Sequence, residues 1–251
     1  MTGDEHFLAK YRALEARMKA RAEEAGHVFV PNPTPPGKVD SLFICMEPSL
    51  GAWARSRTEA EAKVRSGFRN FLSSFADFIL HFSIRNYLCE PGQQYHVTDV
   101  SKGAMLVQDA ATDRQERYDY WYTLLLEEVE LLAKPASKVF AVGNSVAELL
   151  RRRNFPRPFT KILHYSPVAA GYRSRAVRGR EQDFEEFCHS IDHRSFMDVA
   201  REVLRQSGTP ENFRRQALNR LSRGALTESR LKLIFTYKVA FDSTRPHWQD
   251  V

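Results

Sequence analysis

Cysteine is scarce in this chain: Cys45, Cys89 and Cys188 are odd in number and far apart. Such spacing builds neither a disulfide framework nor the paired ligands of a zinc or iron–sulfur site, and it suits a reducing compartment. Long apolar runs are also missing, and none approaches the roughly 20 residues that span a bilayer. The first residues are charged, so no secretory signal is expected. No glycine-rich loop follows the first expected strand of the main sheet, which argues against a dinucleotide fold. No serine stands in a nucleophile elbow. Acidic residues are absent from one long stretch: residues 151–180 hold nine Lys or Arg and no Asp or Glu. Residues 201–251 carry ten basic and five acidic side chains, while the remainder is acidic on balance. The net charge of +6 is therefore concentrated, as in a protein that grips a phosphate backbone. A solvated basic face or an acidic protein partner is the plain alternative.

What is present is ordinary for a globular protein: 251 residues, 43% apolar and 27% charged, enough for one large domain or one medium domain with attachments. Residues 4–25 have helical spacing at Phe7, Leu8, Tyr11, Leu14 and Met18, and Gly26 can end that helix. Pro31, Pro33, Pro35 and Pro36 predict an extended connector. Strands are expected at Val39–Cys45, Tyr95–Val100, Lys138–Val142 and Lys161–His164. Between them the pattern is helical: 58–66, an aromatic stretch from Phe68 to Leu88, 119–133, and Val146–Arg153. In the third of these, Tyr122, Leu125, Leu126, Val129 and Leu132 mark the buried face, and Glu127, Glu128 and Glu130 are expected elsewhere. Most of the aromatic stretch should be core, with Phe68 or Phe71 as the candidate to stack on a planar ligand. Further helices are expected from Phe184 onward.

Strand alternating with helix predicts an α/β fold, a three-layer α/β/α arrangement around a central, mainly parallel four-stranded sheet. Residues 1–37 form an N-terminal helix and connector, 38–200 the main α/β domain, and 201–251 a basic helical extension. Three strands end in polar loops: Met46-Glu47-Pro48-Ser49, Thr98-Asp99 and His164-Tyr165-Ser166-Pro167. In an open parallel sheet the carboxyl ends of the strands collect ligands and catalytic groups. Glu47 is thus a candidate functional carboxylate, with Thr98-Asp99 and His164 expected on the same edge, although a solvated turn carboxylate or a structural histidine is the plain alternative.

These three loops, in this order, resemble the uracil-DNA glycosylase superfamily over about residues 38–190. Its first motif, G-Q-D-P-Y-H in the classical branch, aligns with Cys45-Met46-Glu47-Pro48-Ser49; its second with Thr98-Asp99; its last, H-P-S-P, with His164-Tyr165-Ser166-Pro167. Gly143 and Asn144 resemble the segment between them. The resemblance implies hydrolysis of the N-glycosidic bond of uracil in DNA, in base excision repair, without metal or cofactor. Glu47 then directs water and His164 stabilises the departing base. Asp99, Met46 and either Phe68 or Phe71 surround that base. Ser49, Ser166, Pro167, Arg173, Arg175 and Arg178 hold the DNA. The implied protein is a monomer of the bacterial cytoplasm or nucleoid, acting on uracil-containing DNA and not on a membrane. A glycosylase for another deaminated base, or an inactive nucleic-acid-binding module on the same fold, remains open. The chain departs from the family at Cys45 for glycine, Ser49 for tyrosine, Tyr165 for proline and Asp99 for asparagine. An ionised Asp99 can only accept, so it opposes uracil O4. Either it is protonated, or a backbone donor serves O4; the second, which asks for no large desolvation, is the expected one.

Overall fold

The computed structural model of the chain describes residues 3–51, 53–106, 112, 114–166 and 169–244. The order begins with α1 (Gly3–Glu24), β1 (Val28–Phe29), β2 (Val39–Cys45), β3 (Ser49–Leu50), α2 (Arg57–Arg65) and α3 (Phe75–Tyr87). It continues with β4 (Tyr95–Asp99), β5 (Gly103–Leu106), α4 (Arg114–Leu132), β6 (Ala133–Val142), α5 (Asn144–Arg152) and β7 (Thr160–Ile162). The remainder is helical: α6 (Ala170–Arg173), α7 (Glu181–Ser190), α8 (His193–Gln206), α9 (Glu211–Ser222) and α10 (Glu228–Asp242).

The expected α/β class is what the chain adopts, as a four-stranded, wholly parallel sheet flanked by helices, in the order β4-β2-β6-β7. β2 is the central register: Cys45 pairs with Asp99 on β4 and Ile44 with Ala141 on β6. A second sheet, β1-β5-β3, was not expected from the sequence. Its strands of two to four residues are too short to carry a readable period. It depends on Gly103, where a Cβ would lie 2.9 Å from the His27 side chain.

Two compact units divide the chain. The first takes the described residues of Met1–Ser73, Gln93–Lys161 and Ser207–Pro210, and the second those of Ser74–Gly92, Ile162–Gln206 and Glu211–Val251. Both draw on several segments, so they cut across the expected stretches 1–37, 38–200 and 201–251. In the first unit Leu42 and Ile44 of β2 and Val139 and Ala141 of β6 form a core with Tyr11, Leu14 and Met18 of α1, Trp121, Leu125 and Val129 of α4, and Val146 and Leu150 of α5. α1 ends as expected, with Gly26 at φ 71, the left-handed geometry that glycine adopts without penalty. The proline connector is not a solvated spacer, because Val30, Pro31 and Asn32 are buried.

In the second unit, α3 starts at Phe75 rather than Phe68, because Ser74 and Asp77 form a reciprocal capping box. Its aromatics are packing, as expected: Phe75 stacks on Phe196 at 4.6 Å, and Phe82 meets the same ring. Tyr87 and Phe235 close on Phe187. Among the described residues no helix is long and apolar enough to cross a membrane.

Candidate functional site

The strand order creates a switch point in the first unit. The chain leaving β2 turns toward β4, the chain leaving β6 turns toward β7, and the crevice between such divergent strand ends is where open α/β sheets take ligands. Glu47 stands two residues beyond β2 at that point. Its side chain is only 3% exposed, and both oxygens are engaged. Arg114 donates to Oε1 at 3.1 Å, Tyr118 donates to Oε2, and Arg117 lies 3.9 Å from Oε1. Burial, then the Glu47 charge, drives the Tyr118 hydroxyl far above the usual phenol range, so it remains a donor. Across the crevice's other strand, Gly143 (φ 99) opens α5 with no side-chain cap, and the Asn144 side chain accepts from Lys161 at 3.2 Å.

Asp99 ends β4 beside Glu47, since Val100 and Ser101 donate their N–H groups to the carbonyls of Cys45 and Met46. It is 1% exposed. Burial, opposed by Lys102 and reinforced by Glu47, pushes its carboxyl up to about 8. That shift favours the alternative of a protonated Asp99 over the expected one, because the desolvation cost is already incurred by the fold. Asn70 donates its amide to Asp99 Oδ2.

Beneath Asp99 lies a buried polar network. Lys102 Nζ donates to Thr98 Oγ1, to the Asp99 carbonyl at 2.6 Å and to Glu128 Oε2 at 2.9 Å, which uses all three ammonium hydrogens. Thr98 donates to Glu128 Oε2 at 2.7 Å and accepts from Asn32 Nδ2 at 3.0 Å. His96 Nε2 faces Glu128 Oε1 at 3.9 Å, and burial drags that imidazole down to about 4. The expectation that Glu128 lies off the buried face is thus wrong: it is wholly buried on α4. The network fixes the end of β4 and hence the position of Asp99.

The second unit holds the last motif. Ser166 donates its backbone N–H to His164 Nδ1 at 3.0 Å, which makes Nδ1 the acceptor and leaves Nε2 to carry the proton in the neutral ring. The His164 ring stacks on Tyr165 at 4.7 Å. Arg173 is buried; it donates to the Tyr165 carbonyl at 3.0 Å, the Ser166 carbonyl at 3.2 Å and Ser229 Oγ at 2.8 Å. It braces this loop, so its expected role as a phosphate contact is corrected. Arg175 and Arg178 are exposed, Arg175 over the ring of exposed Tyr172 at 4.3 Å. Pro167 lies outside the described residues.

Of the remaining candidates, Phe68 and Phe71 are both buried, and Phe68 stacks on Trp53 at 4.3 Å. Neither offers the open ring face expected of a base-stacking residue. Met46 packs on the core, whereas Ser49 is exposed on β3. The basic stretch 151–180 is divided between the units, and part of it is already paired: Arg152 and Arg153 engage Asp119, and Arg157 donates to the Lys134 carbonyl. Among the described residues no group of three His, Cys, Asp or Glu is placed to hold a metal ion. The structure brings together Glu47 and Asp99, and adds Asn70, Lys102, Arg114, Tyr118 and Glu128, which the motifs alone do not name. Comparison with family models, with curated proteins and with solved structures gave no match.

Proposed function

We propose that the chain is a DNA glycosylase that hydrolyses the N-glycosidic bond of uracil in DNA. The observation that carries this reading is the buried Glu47 carboxylate at the switch point of a parallel sheet, with the Asp99–Asn70 pair beside it. Cleaving the bond builds positive charge on the sugar and negative charge on the departing base. A carboxylate fixed in low-dielectric surroundings stabilises the first. Its oxygens each accept one donor from the protein, which leaves lone pairs to orient an attacking water. The resemblance gives the second task to His164, whose Nδ1 accepts from the Ser166 N–H. Exposed Arg175 and Arg178 suit the phosphates of a strand whose target nucleotide is extruded from the stack.

The test is direct. A uracil-containing oligonucleotide incubated with the protein in EDTA and then treated with alkali should break at the uracil. Intact strands with uracil, hypoxanthine and xanthine substrates alike would overturn the proposal.

A further inference from the structure

Resting on the glycosylase reading above, we infer that Asn70 is the side chain that reads the hydrogen-bonding edge of the target base, with Asp99 as the buried group that positions it. The resemblance assigns base reading to position 99, but the Asp99 side chain is sealed from solvent, at 1% exposure. Asn70 is partly exposed and lies directly against it. An amide nitrogen carries two hydrogens, and Asp99 Oδ2 accepts one of them. The second hydrogen and the amide oxygen make no further hydrogen bond among the described residues. What remains is a donor beside an acceptor on one planar group. The edge of uracil is its complement, N3–H beside O4. The amide has thus shifted from the end of β4 to the loop that faces it, and the carboxyl group left at position 99, whose Oδ2 accepts from Asn70, fixes which amide atom turns inward.

The backbone of that loop supports the assignment independently. Asn70 N donates to the Pro31 carbonyl at 2.9 Å, which anchors the residue to the buried proline connector. Phe71 has φ 59, a left-handed geometry that an aromatic residue adopts only where the surroundings impose it. Its ring is buried. The strained turn sends Phe71 into the core while keeping the preceding Asn70 against Asp99. Strain of this kind concentrates where a side chain must be held for a task.

Three measurements test the inference: single-turnover excision of uracil and of 3-methyluracil from one oligonucleotide sequence, by the parent and by Asn70→Ala, beside melting curves. The parent should prefer uracil over 3-methyluracil by on the order of 10²-fold or more, because a site built to pair an N–H rejects the analogue lacking it. Asn70→Ala should lose uracil excision by a similar factor and excise the two bases at nearly equal rates. Loss of activity that retains the preference in a folded variant would mark Asn70 as structural and overturn the inference. So would a parental rate in Asn70→Ala. If that variant does not fold, the parent decides alone: equal excision of uracil and 3-methyluracil means that no side chain reads this edge. An active parent with an indifferent Asn70 sinks the inference and spares the proposed function, whereas a parent inactive on every deaminated base sinks both.

Discussion

The phenol of Tyr118 donates to Glu47 Oε2, and Arg114, one turn earlier on the same helix, reaches Oε1 at 3.1 Å. Two α4 side chains at i and i+4 thus grip opposite oxygens of one buried carboxylate. Tyr118→Phe deletes a donor and leaves Oε2 short of a partner, so it should cost roughly 1–3 kcal/mol of stability. Glu47→Gln should slow excision by about 10²-fold or more, the usual range for a lost general base. Single-turnover rates measured beside melting curves separate the two effects. A parental rate in folded Glu47→Gln would remove this carboxylate from the mechanism.

Lys102 and Glu128 form a buried ion pair in which neither group is replaceable alone. Lys102→Met strands Glu128 in a dry site and should cost roughly 3–5 kcal/mol. Replacing both, as Lys102→Met with Glu128→Leu, removes the stranded charge and should recover part of that loss. Urea unfolding of the three proteins checks this. A double variant as unstable as Lys102→Met would show that the pair's hydrogen bonds to Thr98 and the Asp99 carbonyl matter more than its charges.

Much of this arrangement was legible in the chain, and what was missed has identifiable causes. β2 could be placed because a short apolar run stops at Glu47 and Pro48. The start of α3 was available too, in the Ser74–Asp77 spacing of a capping box, yet the aromatic periodicity from Phe68 obscured it. Glu128 was readable in principle: Trp121, Leu125, Glu128 and Leu132 repeat at helical spacing, which puts a glutamate on the buried stripe of α4. A charge on that stripe calls for a buried partner, and Lys102 supplies it. Asn70 was not readable, because its pairing with Asp99 spans 29 residues and depends on the strained turn at Phe71. No local pattern encodes that contact.

Asp99 gives the protein a pH signature. Its carboxyl moves from an ordinary value near 3.8 up to about 8 on folding, chiefly through burial. The folded state therefore holds a proton that the unfolded chain releases between those limits. The associated stability is complete below about 3.8 and is lost as pH rises toward about 8. Asp99→Asn has no proton to lose, and its amide oxygen can still accept from Asn70. The stability of the parent relative to Asp99→Asn should therefore decline from pH 5 to about pH 8 and level off beyond it. A difference that stays constant across that range would mean that Asp99 is ionised throughout.

Three arginines of the basic stretch should behave differently, because the fold uses them differently. Arg173 is buried, and its terminal guanidinium nitrogens donate to the carbonyls of Tyr165 and Ser166 and to Ser229 Oγ. Arg175 and Arg178 are exposed. Phosphate contacts release counterions, so removing them lowers the slope of log K against log salt by about 0.9 per contact on duplex DNA. The pair Arg175→Ala and Arg178→Ala should then weaken DNA binding, flatten its salt dependence and leave the melting temperature nearly unchanged. Arg173→Ala should do the reverse: the loop holding His164 loses its brace, stability falls, and the salt slope of the folded fraction is retained. Binding titrations at several salt concentrations, each paired with a melting curve, distinguish the two patterns. A flattened slope in Arg173→Ala at parental stability would mean that this side chain leaves its carbonyl partners to meet the strand.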